Sequence, residues 1–192
     1  MSLALLVLAL ALGMTGDDLT FGPPTSTQVS PVCGYNVKTC ANKRRHHAGI
    51  DYRRGTGDGP TPVVAANHGR IARVQRMGGG DQGMGTNVIV EHRLESGRAI
   101  YSSYSHLDSI EPGLKKGSIV EKGQKLGIMG GSGYGQPDYW GVHLHFEIKD
   151  KPVTHNPSGP GTYWGYTPGH PDEYGYHNPS SYFGKVKVVP FQ

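Results

Sequence analysis

The sequence predicts an all-β chain of short antiparallel strands, and three observations carry that prediction. Its 30 glycines and 14 prolines follow no collagen-like period and are interleaved with short β-branched runs. Beyond Leu12, no stretch keeps apolar residues at three and four spacing for long without a glycine or proline interrupting it, so helical periodicity is missing. Several segments instead alternate apolar and polar residues, as a half-buried strand does. A chain of 192 residues holds one domain with a hydrophobic core, and therefore one active site is expected.

Taken in order, residues 3–12 form an apolar run too short to span a bilayer but of the length of a secretory signal's hydrophobic region. This predicts a signal peptide over 1–14 and an exported protein. Residues 15–44 are polar and turn-rich and read as an irregular N-terminal arm. Within it, Cys33 and Cys40 are expected to form a disulfide, the usual fate of a close pair in an exported chain. So short a loop stabilises by only about 2–3 kcal/mol, which fixes a local segment rather than the domain. The alternative, a pair of zinc ligands, lacks the spacing of a zinc knuckle. Strands are expected over 62–66, 69–75, 87–92, 98–106 and 142–149, with a hairpin turn at Ser96-Gly97 and a loosely held glycine loop over 78–85. Between 113 and 130, Gly117, Gly123 and Gly127 space two short runs, 118–120 and 125–129, that suit a curled sheet. The tail, 151–192, is rich in Pro, Gly, Tyr and His. Its Trp164, Tyr166, Tyr174 and Tyr176 either pack on the outside of the barrel or line a substrate groove.

A net charge of +4 and a pI near 9.0 favour anionic surroundings such as cell-wall polymers. The dense basic cluster Lys43-Arg44-Arg45 is short and lacks the interleaved aromatic residues of a single-strand nucleic-acid track, so no nucleic-acid partner is expected.

Three local patterns carry candidate chemistry. His47 and Asp51 stand four apart in His-Ala-Gly-Ile-Asp, where Gly49 argues for a turn rather than a helix. In 142–149, alternation puts Val142, Leu144, Phe146 and Ile148 on one face and His143, His145 and Glu147 on the other, so that two imidazoles on a rigid strand could reach one metal. His106 ends the strand that carries Tyr101 and Tyr104. Separately, each pattern is commonplace. Together they supply four imidazoles and one carboxylate, more than the three protein ligands that a catalytic zinc needs beside its open position.

In this order, His47 to Asp51, Tyr104-Ser105-His106-Leu107 and His143-Leu144-His145 resemble the HxxxD, Tyr-x-His-Leu and HxH motifs of the lysostaphin and LytM type of zinc peptidases. The resemblance runs from about Arg45 to Lys149 and includes Thr61-Pro62-Val63, Gly117-Ser118-Ile119-Val120 and Gly123-Gln124. It implies a compact antiparallel two-sheet barrel-sandwich of the duplicated hybrid motif type over 45–150, with the arm and tail as additions. It also implies a Zn2+ held by His47, Asp51 and His145, with His143 and His106 as catalytic histidines. His143 would move the water's proton and His106 would help hold the charged intermediate. The implied substrate is the peptide part of peptidoglycan, met by an exported, periplasmic or extracellular monomer without stable membrane insertion. The chain departs from the family in having no tyrosine over 41–46 to assist the oxyanion. Tyr35, a tail tyrosine or one in the 134–140 loop would have to serve. His46, His68, His92, His155, His170 and His177 match no family position and read as surface or packing residues.

Other classes are weaker. A non-catalytic wall-binding or hydrolase-activating module of the same fold would have no need of a complete set of five site residues. A sugar-phosphotransfer domain needs neither Asp51 nor export, and a zinc D-alanyl-D-alanine carboxypeptidase spaces its histidine and aspartate more widely. Polyglycine bridges and direct stem-peptide cross-links both remain open as substrates.

Overall fold

A computed structural model describes residues 19–38, 40, 45–54, 59–78 and 80–191. The signal expected over 1–14 lies outside these, as do Lys43 and Arg44. Among the described residues no helix is long and apolar enough to cross a membrane.

The fold is nearly all β. Its strands are β1 (Val29–Cys33), β2 (His46–His47), β3 (Ile50–Arg54), β4 (Pro62–Val64), β5 (Gly69–Gln75), β6 (Thr86–Leu94) and β7 (Ala99–Ile110), then β8 (Ile119–Val120), β9 (Lys125–Met129), β10 (Leu144–Lys149), β11 (Tyr166–Thr167), β12 (Tyr176–His177) and β13 (Val188–Val189). An 11-stranded sheet runs β1-β3-β10-β7-β6-β5-β8, with β4, β9, β12 and β13 attached beside this path, and β11 pairs with β2 in a small second sheet. Short 3-10 turns at Pro171–Tyr174 and Pro179–Ser181 punctuate the tail.

The long strand β7 organises the molecule. One edge pairs with β6, while the other pairs with β10 up to Ser105 and from Leu107 with β9, a ladder that is itself bulged between Leu107 and Ser109. The sheet therefore branches at this point, and the hydrophobic side chains of both branches meet in one core. Val88, Val90, Ile100, Tyr104, Leu126, Leu144, Phe146 and Ile148 are all fully buried there. The hairpin expected at Ser96-Gly97 forms, with the Leu94 N–H donating to the Arg98 carbonyl at 2.9 Å and Gly97 at φ 83°.

Three expectations need correction. The strand expected over 142–149 begins two residues later: β10 starts at Leu144, and Val142, expected on one face with Leu144, Phe146 and Ile148, is 46% exposed. His143 instead makes an isolated bridge to Gly130. The arm is less irregular than its composition suggests, because β1 pairs antiparallel with β3, and Leu19 and Phe21 are buried. The glycine loop over 78–85 is held by the buried Asp81 carboxylate, which accepts the N–H groups of Gly78, Gly83 and Gly135 at 3.3, 2.9 and 2.9 Å. A loop of glycines has no side chains to pack, so one carboxylate among backbone donors does the ordering.

Candidate metal and catalytic site

The His47–Asp51 pattern folds as β2, a two-residue step at Ala48 and Gly49, and β3. Gly49 is needed for closeness rather than for turn freedom: a Cβ there would lie 2.3 Å from the Phe146 carbonyl oxygen. The step thus presses against β10, and Asp51 falls directly opposite His145 in the β3–β10 register. Three donor atoms converge as a result. His47 Nε2 lies 2.9 Å from His145 Nδ1 and 3.1 Å from Asp51 Oδ1, and His145 Nδ1 lies 2.8 Å from Asp51 Oδ1. Zinc–nitrogen and zinc–oxygen bonds of about 2.0–2.1 Å in a tetrahedron set the donors about 3.3 Å apart. The triangle is nearly that size, and two imidazoles with one carboxylate match zinc's preferred donors, so these residues fit the metal.

Each imidazole is held from behind. His47 Nδ1 donates to the Gly34 carbonyl at 3.1 Å and touches Cys33 Sγ, also at 3.1 Å, which leaves Nε2 directed at the triangle. Cys33 is in a disulfide with Cys40, with Cα atoms 5.7 Å apart, so the Gly34 carbonyl sits in a cross-linked loop. His145 Nε2 donates to Glu147 Oε1 at 2.8 Å, and Lys149 Nζ donates to Glu147 Oε2 at 2.5 Å. This row lies on the face of β10 away from the core, where Gly49 approaches Glu147 and Tyr176 stands opposite Lys149 with its ring centre 5.9 Å from Nζ, and both Glu147 and Lys149 are fully buried.

Electrostatics follow from that enclosure. Burial opposes charge on His145, but its hydrogen bonds to Asp51 and Glu147 win and hold the imidazole up at about 9. Burial likewise opposes charge on Asp51, yet hydrogen bonds from His145 and His47 bring its carboxyl far below the usual range. For Glu147, burial is outweighed by Lys149 and His145, which lower it to about 2. Glu147 and Lys149 were not read as site residues from the sequence. The signal was the alternation that put Glu147 on the His145 face, whereas their burial depends on a distant tail.

His106 and His143 come together beside the triangle, with ring centroids 4.6 Å apart, and His106 lies 6.0 Å from the His145 ring. His106 lies where the β6–β7 register shifts between Thr86 and Val88, and it takes φ 63°, an unusual conformation for a non-glycine residue. Its Nδ1 donates to the Ser132 carbonyl at 2.9 Å, and His143 Nδ1 donates to the Gly141 carbonyl at 2.6 Å. Both rings therefore keep Nε2 for the groove. Burial, then the neighbouring His143 and His145, hold His106 down at about 3, and burial also lowers His143.

A groove of about 500 Å³ runs over these residues. Besides Asp51, His106, His143 and His145, its lining includes Gln82, Gly83, Met84, Tyr134, Trp140 and Gly141, and Val32, Cys33, Cys40, Arg45, Arg53, Trp164, Gly165 and Tyr166. Trp140 Nε1 donates to the Gly83 carbonyl at 2.8 Å and joins the loops carrying them. Of the tyrosines considered for the oxyanion, Tyr35 is turned away, its hydroxyl donating to Asp172 at 2.5 Å. Tyr134 and Tyr166 line the groove, and the Tyr166 ring lies 5.4 Å from that of His47. Among the remaining histidines, His68 and His92 are buried in packing roles.

A family model described as Peptidase family M23 matches residues 45–157. The chain is 30% identical over 122 residues to the peptidoglycan DD-endopeptidase ShyB of Vibrio cholerae, a match covering 58% of this chain and 24% of that protein. It is 45% identical over 49 residues to the L-Ala--D-Glu endopeptidase of Bacillus subtilis, covering 24% of this chain and 15% of that one. The chain thus spans a quarter or less of the length of these relatives. Among solved structures, a zinc-containing peptidase from Vibrio cholerae superposes with a TM-score of 0.51 at 26% identity, over 68% of this chain and 37% of the other.

Proposed function

The chain belongs to peptidase family M23, and from that premise we propose that it is a zinc-dependent endopeptidase that hydrolyses peptide cross-links of bacterial peptidoglycan. One observation carries the reading: the donor atoms of His47, Asp51 and His145 meet within 3.1 Å of one another, beside His106 and His143 and under an open groove. The names of the relatives, endopeptidases acting on peptidoglycan or on an L-Ala–D-Glu bond, support the substrate class. Such a substrate lies outside the cytoplasm, which agrees with the export signal expected over 1–14.

His47 Nε2, Asp51 Oδ1 and His145 Nδ1 would hold the zinc, which supplies Lewis acidity and brings a water's pKa down to roughly 7. Gly34 and Glu147 hold the other ring N–H of each imidazole, so that on binding the metal His47 and His145 would give up the protons they share with Asp51 and present those two nitrogens as neutral donors. His143, whose Nδ1–H is committed to Gly141, takes the attacking water's proton at Nε2 and returns it to the leaving amine. His106 is neutral, and with its Nδ1–H committed to Ser132 it presents an electron pair at Nε2. In that tautomer it orients the water by accepting its second hydrogen. It could hold a negative charge only after gaining a proton, so we assign the developing oxyanion to a donor such as Tyr134 or Tyr166.

Digesting purified walls of several compositions with the zinc-loaded chain, and identifying new amino termini by mass spectrometry, tests this reading. New termini within the stem or cross-bridge are expected. Walls that yield none would favour the non-catalytic wall-binding or activating module of the same fold.

A further inference from the structure

The charges lining the groove are one-sided. Among the described residues that line it, Asp51, committed to His47 and His145, is the sole carboxylate, while Arg45 and Arg53 contribute two guanidinium groups. Arg53 follows Asp51 by two positions on β3, so the two side chains leave the same face about 7 Å apart along the strand. An extended substrate advances by about the same distance over two residues. Arg53 is exposed and makes no ion pair among the described residues.

Arg45 is held differently. Its guanidinium carbon stacks 4.1 Å above the centre of the Tyr163 ring. Stacking occupies the flat face of the group and leaves the N–H rim open, the edge that binds a carboxylate through two parallel hydrogen bonds. Tyr163 belongs to the segment that continues into Trp164, Gly165 and Tyr166 of the groove wall, beyond the residues matched by the family model. The tail thus holds one cation in place, β3 supplies the second, and among the described lining residues no acid beyond Asp51 competes for them.

We propose that Arg45 and Arg53 form a carboxylate-binding subsite beside the His47–Asp51–His145 triangle, selecting peptides with a free carboxyl group within about two residues of the cut bond. On the peptidase reading above, from which this follows, the substrate is an acidic stem peptide and not a neutral oligoglycine bridge. The arginines recognise the substrate and take no part in bond breaking.

The test compares three peptides: a synthetic stem peptide with free side-chain and α-carboxylates, the same peptide with those groups amidated, and pentaglycine. Calorimetric titration of the full zinc-loaded chain carrying His143→Ala gives affinities, and initial rates with the native chain give KM and kcat. The acid peptide should bind about tenfold or more tightly than its amide or pentaglycine, as charge-assisted bidentate pairs imply. In the same background, Arg45→Gln and Arg53→Gln should each erode that preference without weakening the amide, and in the active chain they should raise KM for the acid peptide with kcat nearly unchanged. Equal binding of the acid and amide forms would overturn the subsite, and so would a preference that survives both substitutions together. The two ideas fail separately. A native chain that cuts none of the peptides contradicts the peptidase reading, while the acid–amide contrast in binding still decides the subsite.

Discussion

Glu147 joins His145 to a buried lysine: one carboxylate oxygen accepts His145 Nε2–H at 2.8 Å and the other accepts Lys149 Nζ at 2.5 Å. Both Glu147 and Lys149 are fully buried, so neither charge has water to fall back on. Glu147→Gln leaves Lys149 uncompensated and should destabilise the chain by about 3–5 kcal/mol. It also weakens the hold on His145, and zinc affinity should fall roughly 10- to 100-fold. Adding Lys149→Met should restore much of the stability but not the zinc affinity. Chemical denaturation and zinc titration against a competing chelator separate the two effects; a double variant as unstable as the single would show that the buried pair is not the cause.

The Cys33–Cys40 disulfide closes the loop whose Gly34 carbonyl holds His47. Replacing both cysteines by serine should lower stability by about 2–3 kcal/mol through loop entropy. Zinc affinity should drop by roughly tenfold or more as His47 loses its fixed acceptor. Unchanged zinc binding in the double variant would mean that the loop does not orient the ligand.

Acid sensitivity should arise partly away from the site. His92 is fully buried between the His68 carbonyl, 2.8 Å away, and Ser102 Oγ, 2.7 Å away, and burial lowers its imidazole to about 4. Between pH 6.5 and about 4 the unfolded chain binds a proton there that the folded chain does not, so stability falls as pH falls through this window. The loss from this residue alone reaches about 3 kcal/mol at its limit. His92→Gln should flatten the pH dependence of the unfolding free energy over that range, and an unaltered slope would contradict the assignment.

That His47, Asp51, His106, His143 and His145 come together was legible because three short motifs stood in order along the chain, and the strand alternation at Leu144–Lys149 is real. What the sequence hid was long-range contact. Nothing local shows that Glu147 and Lys149 are buried, since Gly49 of an earlier strand step and Tyr176 of the tail approach them from far along the chain. Gly49 was read as a turn residue, but its reason is the Phe146 carbonyl pressed against it by another strand. Leu19 and Phe21 lie in a segment without periodicity, so only the folded chain reveals them as buried. The neutral tautomer of His106, too, depends on the Ser132 carbonyl, which no spacing announces.

The most direct measurement is zinc content together with wall cleavage for two neighbouring substitutions, His145→Ala and His143→Ala. His145 closes the donor triangle at 2.8 Å from Asp51 Oδ1, whereas His143 faces the groove with its Nδ1 tied to Gly141. The native chain should hold about one zinc, as a triangle of three donors implies. His145→Ala should lose both metal and activity, and His143→Ala should keep the metal while cleavage falls roughly 10²- to 10⁴-fold. Release of zinc by His143→Ala with retention by His145→Ala would invert the assignment, and undiminished wall cleavage by both variants would contradict the active site itself.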